Sequence, residues 1–263
     1  MASDHEVLRK RYEDIARSGD PNTTACDYNL RELEIEFALQ YIRDGDRILD
    51  VGCGPGVALS AYATQRNTEA HGIDYAENMI AFARQHAAAA APGGNIVLQQ
   101  ANVLELPYED DHFDVVTSSR CLMALLDWEL QQKALLEIRR VLKPNGTLVL
   151  MEGTAEGIDR LNAYRRRFGL SEIAADGRDR LYTLKFSEKN LLAFCEPHYA
   201  LERVQRFGMY YFLTRIVQPL LVAPAQPSYD HPLNAVARQI ARAVPDFDGM
   251  GHLVAFVFRK RRG

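Results

Sequence analysis

Five short apolar runs alternate along this chain with longer stretches in which apolar residues return every third or fourth position. Arg47–Val51, Ala70–Ile73, Asn95–Gln99, Phe113–Thr117 and Gly146–Met151 read as strands, and Val57–Thr64, Glu77–Ala90 and Trp128–Val141 read as the helices between them. That alternation predicts an α/β fold with a doubly wound, mostly parallel sheet. Ahead of the sheet, Asp4–Ser18 has the pattern of an amphipathic helix, which Gly19-Asp20-Pro21-Asn22 breaks. Asn29–Ile42 predicts a second helix, with Leu30, Leu33, Phe37 and Tyr41 on one face. Residues 1–43 are therefore assigned as a helical cap able to close over a site, and 44–263 as the main domain.

Beyond the fifth strand, Glu156–Phe168 and Glu188–Phe194 read as helices, and Tyr199–Phe207 and His252–Phe258 as a sixth and a seventh strand. Residues 208–251 separate these last two strands and contain Tyr210, Tyr211, Phe212, five prolines and a predicted helix over Leu233–Ala243. Connections of that length in a compact domain serve as lids, binding surfaces or contacts, so this insert is assigned as a lid or acceptor-binding segment.

The candidate chemistry begins where the first strand ends, in Asp50-Val51-Gly52-Cys53-Gly54-Pro55-Gly56. The spacing is GxGxG, with Val57 where a third dinucleotide glycine would stand. Glycine allows a sharp bend and removes the Cβ that would keep a ligand off the main chain. An acid just before the turn would repel a pyrophosphate and suits a ligand carrying ammonium or sulfonium charge. Asp74, at the end of the second strand, stands at the separation expected of a carboxylate that accepts ribose hydroxyls. Taken singly, Asp50 reads more readily as a helix cap, and Tyr75 and Met79 as core residues at helical spacing. The ordered series of elements is what favours a binding site.

That series resembles the class I S-adenosylmethionine-dependent methyltransferases. Ile73-Asp74-Tyr75-Ala76-Glu77-Asn78-Met79-Ile80 is similar to the family's second motif, Ala101-Asn102-Val103-Leu104-Glu105-Leu106-Pro107-Tyr108 to its third, and Phe113-Asp114-Val115-Val116 to its fourth strand. The stretch Glu137–Leu148 is similar to the helix, turn and fifth strand, so the resemblance covers residues 44–152. It implies a Rossmann-like sheet with an antiparallel last strand, S-adenosylmethionine as cofactor and S-adenosylhomocysteine as product. Its implied cofactor residues are Tyr28, Asp50, Gly52, Gly54, Gly56, Asp74, Tyr75, Met79, Asn102, Val103 and Ser118. Asn102 stands where the third motif usually carries Asp, and an Asn carbonyl still accepts a hydrogen bond.

Composition narrows the partners. The chain has 263 residues, a formal charge of -4 and 47% hydrophobic residues, the balance of a globular domain able to bury its own core. No basic face is evident, which opposes nucleic-acid binding. No apolar run approaches the roughly 20 residues of a membrane span, and the first residues do not read as a signal, so the expected location is cytoplasmic and no membrane partner is expected. Cys26, Cys53, Cys121 and Cys195 lack metal or disulfide spacing. His5, His71, His86, His112, His198, His231 and His252 are scattered, so no metal site is expected.

Methyl transfer needs positioning, desolvation and, for a hydroxyl acceptor, a base. Glu152, directly after the fifth strand, is the candidate base, with a strand-end carboxylate as its plain alternative. His231 is the second candidate, because its segment belongs to the insert. Arg120 follows the fourth strand and is assigned to an anionic acceptor group, with pairing to Glu152 as the alternative; Tyr210 and Tyr211 are assigned to the acceptor as well. Arg160, Arg165, Arg166, Arg167, Arg178 and Arg180 read as a solvated face pairing with Glu156, Asp159 and Glu172, or as a site for a phosphate-bearing acceptor. The resulting expectation is a methyltransferase acting on O or N of a small molecule, a sugar or secondary metabolite. The alternatives are a non-catalytic cofactor-binding regulator and, opposed by the turn's spacing and by Asp50, an NAD-dependent dehydrogenase. Oligomeric state is not legible.

Overall fold

The structure, a computed structural model, describes residues 4–22, 24–173, 182–247 and 249–262. The predicted arginines Arg178 and Arg180, and the side chain of His5, lie outside the described residues. Seven strands, β1 (Arg47–Val51), β2 (Glu69–Asp74), β3 (Ile96–Gln100), β4 (Phe113–Ser119), β5 (Leu142–Gly153), β6 (Tyr199–Gln205) and β7 (Leu253–Lys260), form a sheet of order β3-β2-β1-β4-β5-β7-β6. β7 runs antiparallel to both its neighbours, β5 and β6, and the other pairings are parallel. The chain leaves β1 toward β2 and β3 and later returns to β1's other side with β4. The crevice beyond the carboxyl ends of β1 and β4 is therefore the switch point at which such sheets bind ligands.

Alternating side chains serve two cores, one on each face of the sheet. Ile48, Val115, Val149, Met151, Ala255 and Val257 pack with Leu33 and Phe37 of α2 (Tyr28–Leu39), Leu59 and Tyr62 of α3 (Val57–Gln65) and Leu161 of α6 (Ala155–Arg167). Leu49, Val51, Val116, Leu148, Leu150 and Phe256 pack with Leu135 and Ile138 of α5 (Trp128–Val141) and Leu191 of α7 (Glu188–Cys195).

The N-terminal helix α1 (Asp4–Ala16) docks on α4 (Glu77–Ala90). Ala16, Tyr12 and Ile15 meet Ala76, Met79 and Phe82. The N-cap residue of α4 is Ala76, which offers no side-chain acceptor. Glu13 supplies one from α1, its two oxygens accepting from the N–H groups of Glu77 and Asn78 at 2.9 Å each. It satisfies orphan helix donors and places an acid at the positive end of the helix dipole.

The insert folds into a helical run α8, made of Gly208–Phe212, a π-helical turn Leu213–Val217 and Gln218–Val222, and a helix α9 (Pro232–Ala243). Both pack against the core face that holds α2. Asp27 caps α2 by accepting from Leu30 N–H at 3.2 Å, and the same carboxylate takes the Tyr210 hydroxyl at 2.5 Å and the Arg215 guanidinium. Arg242 of α9 pairs with Glu36 on the outer face of α2. Among the described residues no helix is long and apolar enough to cross a membrane.

Candidate functional site

The glycine turn after β1 is shaped by backbone that only glycine adopts freely. Gly52 lies at φ +69, and a Cβ there would come within 2.4 Å of Cys121 Sγ. Gly54 lies at φ +51, and its Cβ position is open, with Thr24 Oγ1 the nearest atom at 3.8 Å. The main chain at Gly54 is therefore bare toward the adjoining cavity. Asp74, at the end of β2, accepts from Gly54 N–H at 3.1 Å and from Ala76 N–H at 2.9 Å, so one carboxylate ties the turn to the start of α4.

These groups open on a cavity of about 580 Å³, a size typical of small-molecule sites. Asp50, Gly52, Gly54, Asp74, Tyr75, Met79, Asn102 and Val103 line one part of it, and Arg120 also lines it. Leu8, Ile35, Val57, Tyr62, Met123, Leu125 and Met151 contribute apolar wall. Asp50 is 5% exposed, and its carboxylate takes the Thr117 hydroxyl at 2.7 Å. Burial pushes Asp50 up to about 7, against the pull of that hydrogen bond, and pushes Asp74 up to about 6, against the two N–H donors. Carboxyls strained in this way are stabilised by a positive charge brought beside them. The bare turn, the two buried acids and Tyr75 with Met79 thus fit a cationic nucleoside that carries no phosphate. Among the described residues no group of three or more metal-ligating side chains is placed to hold a metal ion.

Several predicted residues lie elsewhere. Glu152 does not line the cavity: it is 0% exposed, and its oxygens accept from Ser118 Oγ (3.1 Å) and the N–H groups of Cys121 (3.1 Å), Leu122 (2.9 Å) and Met123 (3.1 Å). Burial pushes this carboxyl up to about 7 against those donors. It shapes the loop after β4, and a proton acceptor with no free face is poorly placed to act as a base. Ser118 is buried on that same side because strand alternation turns its neighbour Ser119 to the cavity. Gly56 opens α3, and a side chain there would meet Ala83 at 3.3 Å, so it serves the packing of α3 on α4. Tyr28 begins α2 one turn short of the cavity, which α2 reaches through Arg31, Glu34 and Ile35. His231 caps α9, its Nδ1 accepting from Leu233 N–H at 3.2 Å. Tyr210 and Tyr211 are wholly buried on the α2 side, Tyr210 on Asp27 and Tyr211 receiving Leu253 N–H at 3.3 Å. None of the described residues of the insert is among those lining the cavity. Its helices are drawn instead to the apolar and acidic outer face of α2.

Arg120 pairs with Glu34, not with Glu152. Arg165 is not on a solvated face: it is buried and donates to the carbonyls of Ser171 and Arg215. Arg166 pairs with Glu172 as expected of a surface pair, and Arg160 with Glu188.

Sequence reasoning missed Tyr12, Arg31 and Glu34, all of which line the cavity. Tyr12 reaches it from α1, its phenol pushed up to about 12 by burial and by the fields of Cys121 and Asp74. The signal available was the amphipathic face of each N-terminal helix, which says that a face is covered and not by what.

Residues 42–180 match the family profile described as "Methyltransferase domain". Among curated proteins, the Aspergillus luteorubrus protein named "Probable methyltransferase ltbC" is 41% identical over 44% of this chain and 43% of its own length. The demethylmenaquinone methyltransferase of Symbiobacterium thermophilum is 32% identical over 57% of this chain and 60% of its own. The chain thus spans about half the length of the curated relatives it matches. Among solved structures, a complex of the Haloferax volcanii Trm112 methyltransferase activator with a methyltransferase aligns over 97% of this chain and 98% of that one, with a TM-score of 0.66 at 17% identity.

Proposed function

Since the chain belongs to the class I S-adenosylmethionine-dependent methyltransferase family, we propose that it methylates a small molecule bound against the apolar wall of its cavity. The observation that carries this reading is the bare turn at Gly54, joined by Asp74 to the start of α4, opening on that cavity beside Asp50. When bound, S-adenosylmethionine supplies an electrophilic methyl group on a positively charged sulfur. The residues that would hold it are Asp50, Gly52, Gly54, Asp74, Tyr75, Met79, Asn102 and Val103. The protein's part is then to exclude water, align the acceptor and stabilise charge. α1 contributes to exclusion through Leu8, Arg9 and Tyr12 over the cavity.

For the acceptor, the wall of Leu8, Ile35, Tyr62, Met123, Leu125 and Met151 supports an apolar metabolite over a sugar. A Vibrio campbellii relative named as a ubiquinone/menaquinone biosynthesis C-methyltransferase, 36% identical over 46% of this chain and 46% of its own length, widens the acceptor atom from oxygen or nitrogen to include carbon.

Calorimetric titration with S-adenosylhomocysteine and, separately, with NAD tests the proposal, followed by incubation with S-adenosylmethionine and candidate acceptors. Binding of the thioether nucleoside but not of NAD, with an acceptor-dependent release of S-adenosylhomocysteine, is the expected outcome. Asp74→Ala should weaken S-adenosylhomocysteine binding by about 1–3 kcal/mol, the scale of a lost charge-assisted bond; NAD binding in its place would overturn the reading.

A further inference from the structure

We infer that Glu34 and Arg120 are the acceptor-recognition pair, and that the acceptor is a flat apolar molecule bearing one acidic hydroxyl of the phenol or enol type. The inference rests on the methyltransferase reading above and adds the substrate class to it.

Glu34 projects from α2, is 2% exposed and lines the cavity. Arg120 Nη2 donates to its two oxygens at 2.7 and 2.5 Å, and Arg120 Nη1 donates to Ser119 Oγ at 3.1 Å. One helical turn before Glu34, Arg31 also lines the cavity, its guanidinium fixed by Pro21 O at 3.0 Å and Asn22 Oδ1 at 2.7 Å. Its Nε is buried without a partner. A carboxylate and two guanidiniums thus line a cavity whose apolar lining includes Ile35, Tyr62, Met123 and Met151.

Stability does not account for this cluster. Arg120 stands at φ +53, and among the described non-glycine residues with positive φ it is the one that lines the cavity. That conformation costs on the order of 1–2 kcal/mol for a side chain of this kind. A buried ion pair roughly breaks even against a well-packed apolar replacement. The strained backbone and the desolvated pair are explained by what they face.

A hydroxyl lying against this pair donates to a Glu34 oxygen, and the oxyanion it becomes receives an Arg120 N–H. In the step, the acceptor O–H bond breaks and its proton passes to the Glu34 carboxylate. The freed electron pair, on oxygen or conjugated onto an adjacent ring carbon, forms the new bond to methyl as the methyl–sulfur bond breaks and sulfur keeps its electrons as a neutral thioether. With carbon as the acceptor atom, the ring proton at that carbon leaves to water and the hydroxyl is restored from Glu34. Burial pushes the Glu34 carboxyl up to about 7, with Arg120 pulling the other way, so the carboxylate is matched to taking up a proton near neutral pH. A planar ring carrying the hydroxyl would rest on the apolar wall.

The test titrates the S-adenosylhomocysteine complex with 1-naphthol and with 1-methoxynaphthalene, which keeps the ring and loses the acidic proton, for the wild type, Glu34→Gln and Arg120→Lys. The wild type should prefer the naphthol by about tenfold or more, and the preference should fall to about threefold or less in each variant. S-adenosylhomocysteine affinity should stay within about twofold in both variants, since neither residue is assigned to the nucleoside. Turnover of the naphthol with S-adenosylmethionine should drop about a hundredfold in Glu34→Gln. Arg120→Lys keeps the charge and loses the fork, so it serves should Glu34→Gln fail to fold. Equal binding of naphthol and ether by the wild type, binding of neither, or a preference that survives both substitutions overturns the pair. A wild type that does not bind S-adenosylhomocysteine at all would instead remove the methyltransferase reading beneath it.

Discussion

Replacing Glu152 by Gln separates a carboxylate that builds the site from one that acts in it. In the native arrangement Oε1 receives Ser118 Oγ, Cys121 N–H and Leu122 N–H, and Oε2 receives Met123 N–H. The Gln oxygen can take over the three donors at Oε1, which leaves the amide NH₂ facing the Met123 N–H. The substitution thus removes one charge-assisted bond, about 1.5–3 kcal/mol, and orphans a buried donor, about 1–3 kcal/mol. The two terms together come to about 2.5–6 kcal/mol, offset in part by relief of the charge that burial disfavours at this carboxyl, so the Tm falls by at most roughly 5–24 °C at 2–4 °C per kcal/mol for a chain of this size. The assay is denaturant unfolding at pH 8, above the value of about 7 to which burial raises Glu152, read as a lower midpoint at unchanged m. Turnover of the folded fraction should stay within about tenfold of wild type, because only the loop geometry has changed. A variant with the native midpoint and turnover down a hundredfold or more would refute the reasoning and return Glu152 to the role of base.

Two further expectations follow from the buried acids and the docked helix. Asp50 is raised to about 7 in the folded state by burial and lies near 3.9 unfolded. The folded chain therefore holds this proton longer, and the contribution it makes below about pH 4 is lost as pH rises through about 7. Relative to Asp50→Asn, wild-type stability should fall between pH 5 and 8 in chemical unfolding, and S-adenosylmethionine affinity should rise over the same interval with release of a proton. A flat difference curve would count against Asp50 as a strained acid. Glu13→Ala should cost about 0.5–2 kcal/mol, the range for a lost helix cap, and raise hydrogen exchange in α1 and the first turn of α4 while leaving β1 and β4 protected. Unchanged exchange in α1 would show that the apolar contacts alone hold it.

Where local pattern decides structure, the sequence was legible. Strand β1 and helices α4 and α5 occupy the predicted residues, because sharp apolar periodicity meets clear boundaries such as Asp127, whose carboxylate receives Glu129 N–H at 2.6 Å at the start of α5. The parallel sheet followed from the same alternation, and its reversed last strand from the family resemblance. The helical run over residues 208–222 was not legible, since its aromatic residues are buried and leave no polar stripe to set a period. Within the site, the turn and the acids after β1 and β2 could be read because strand ends fix them locally. The fates of Glu152 and Arg120 could not, because each depends on a distant partner: three N–H groups of the Cys121–Met123 loop for one and Glu34 of α2 for the other. Tyr12 reaches the cavity only through the docking of α1 on α4, a non-local event.

Helix α2 is a partition with two tenants. Its inner side offers Arg31, Glu34 and Ile35 to the cavity, while its cap and outer side are gripped by Tyr210, Arg215 and Arg242 from the insert. A substitution on the outside can shift the partition without touching any atom that meets a ligand. Selectivity for the acceptor can therefore drift through changes in the insert, and a variant library seeking new acceptors has reason to sample positions beyond the cavity as well as inside it.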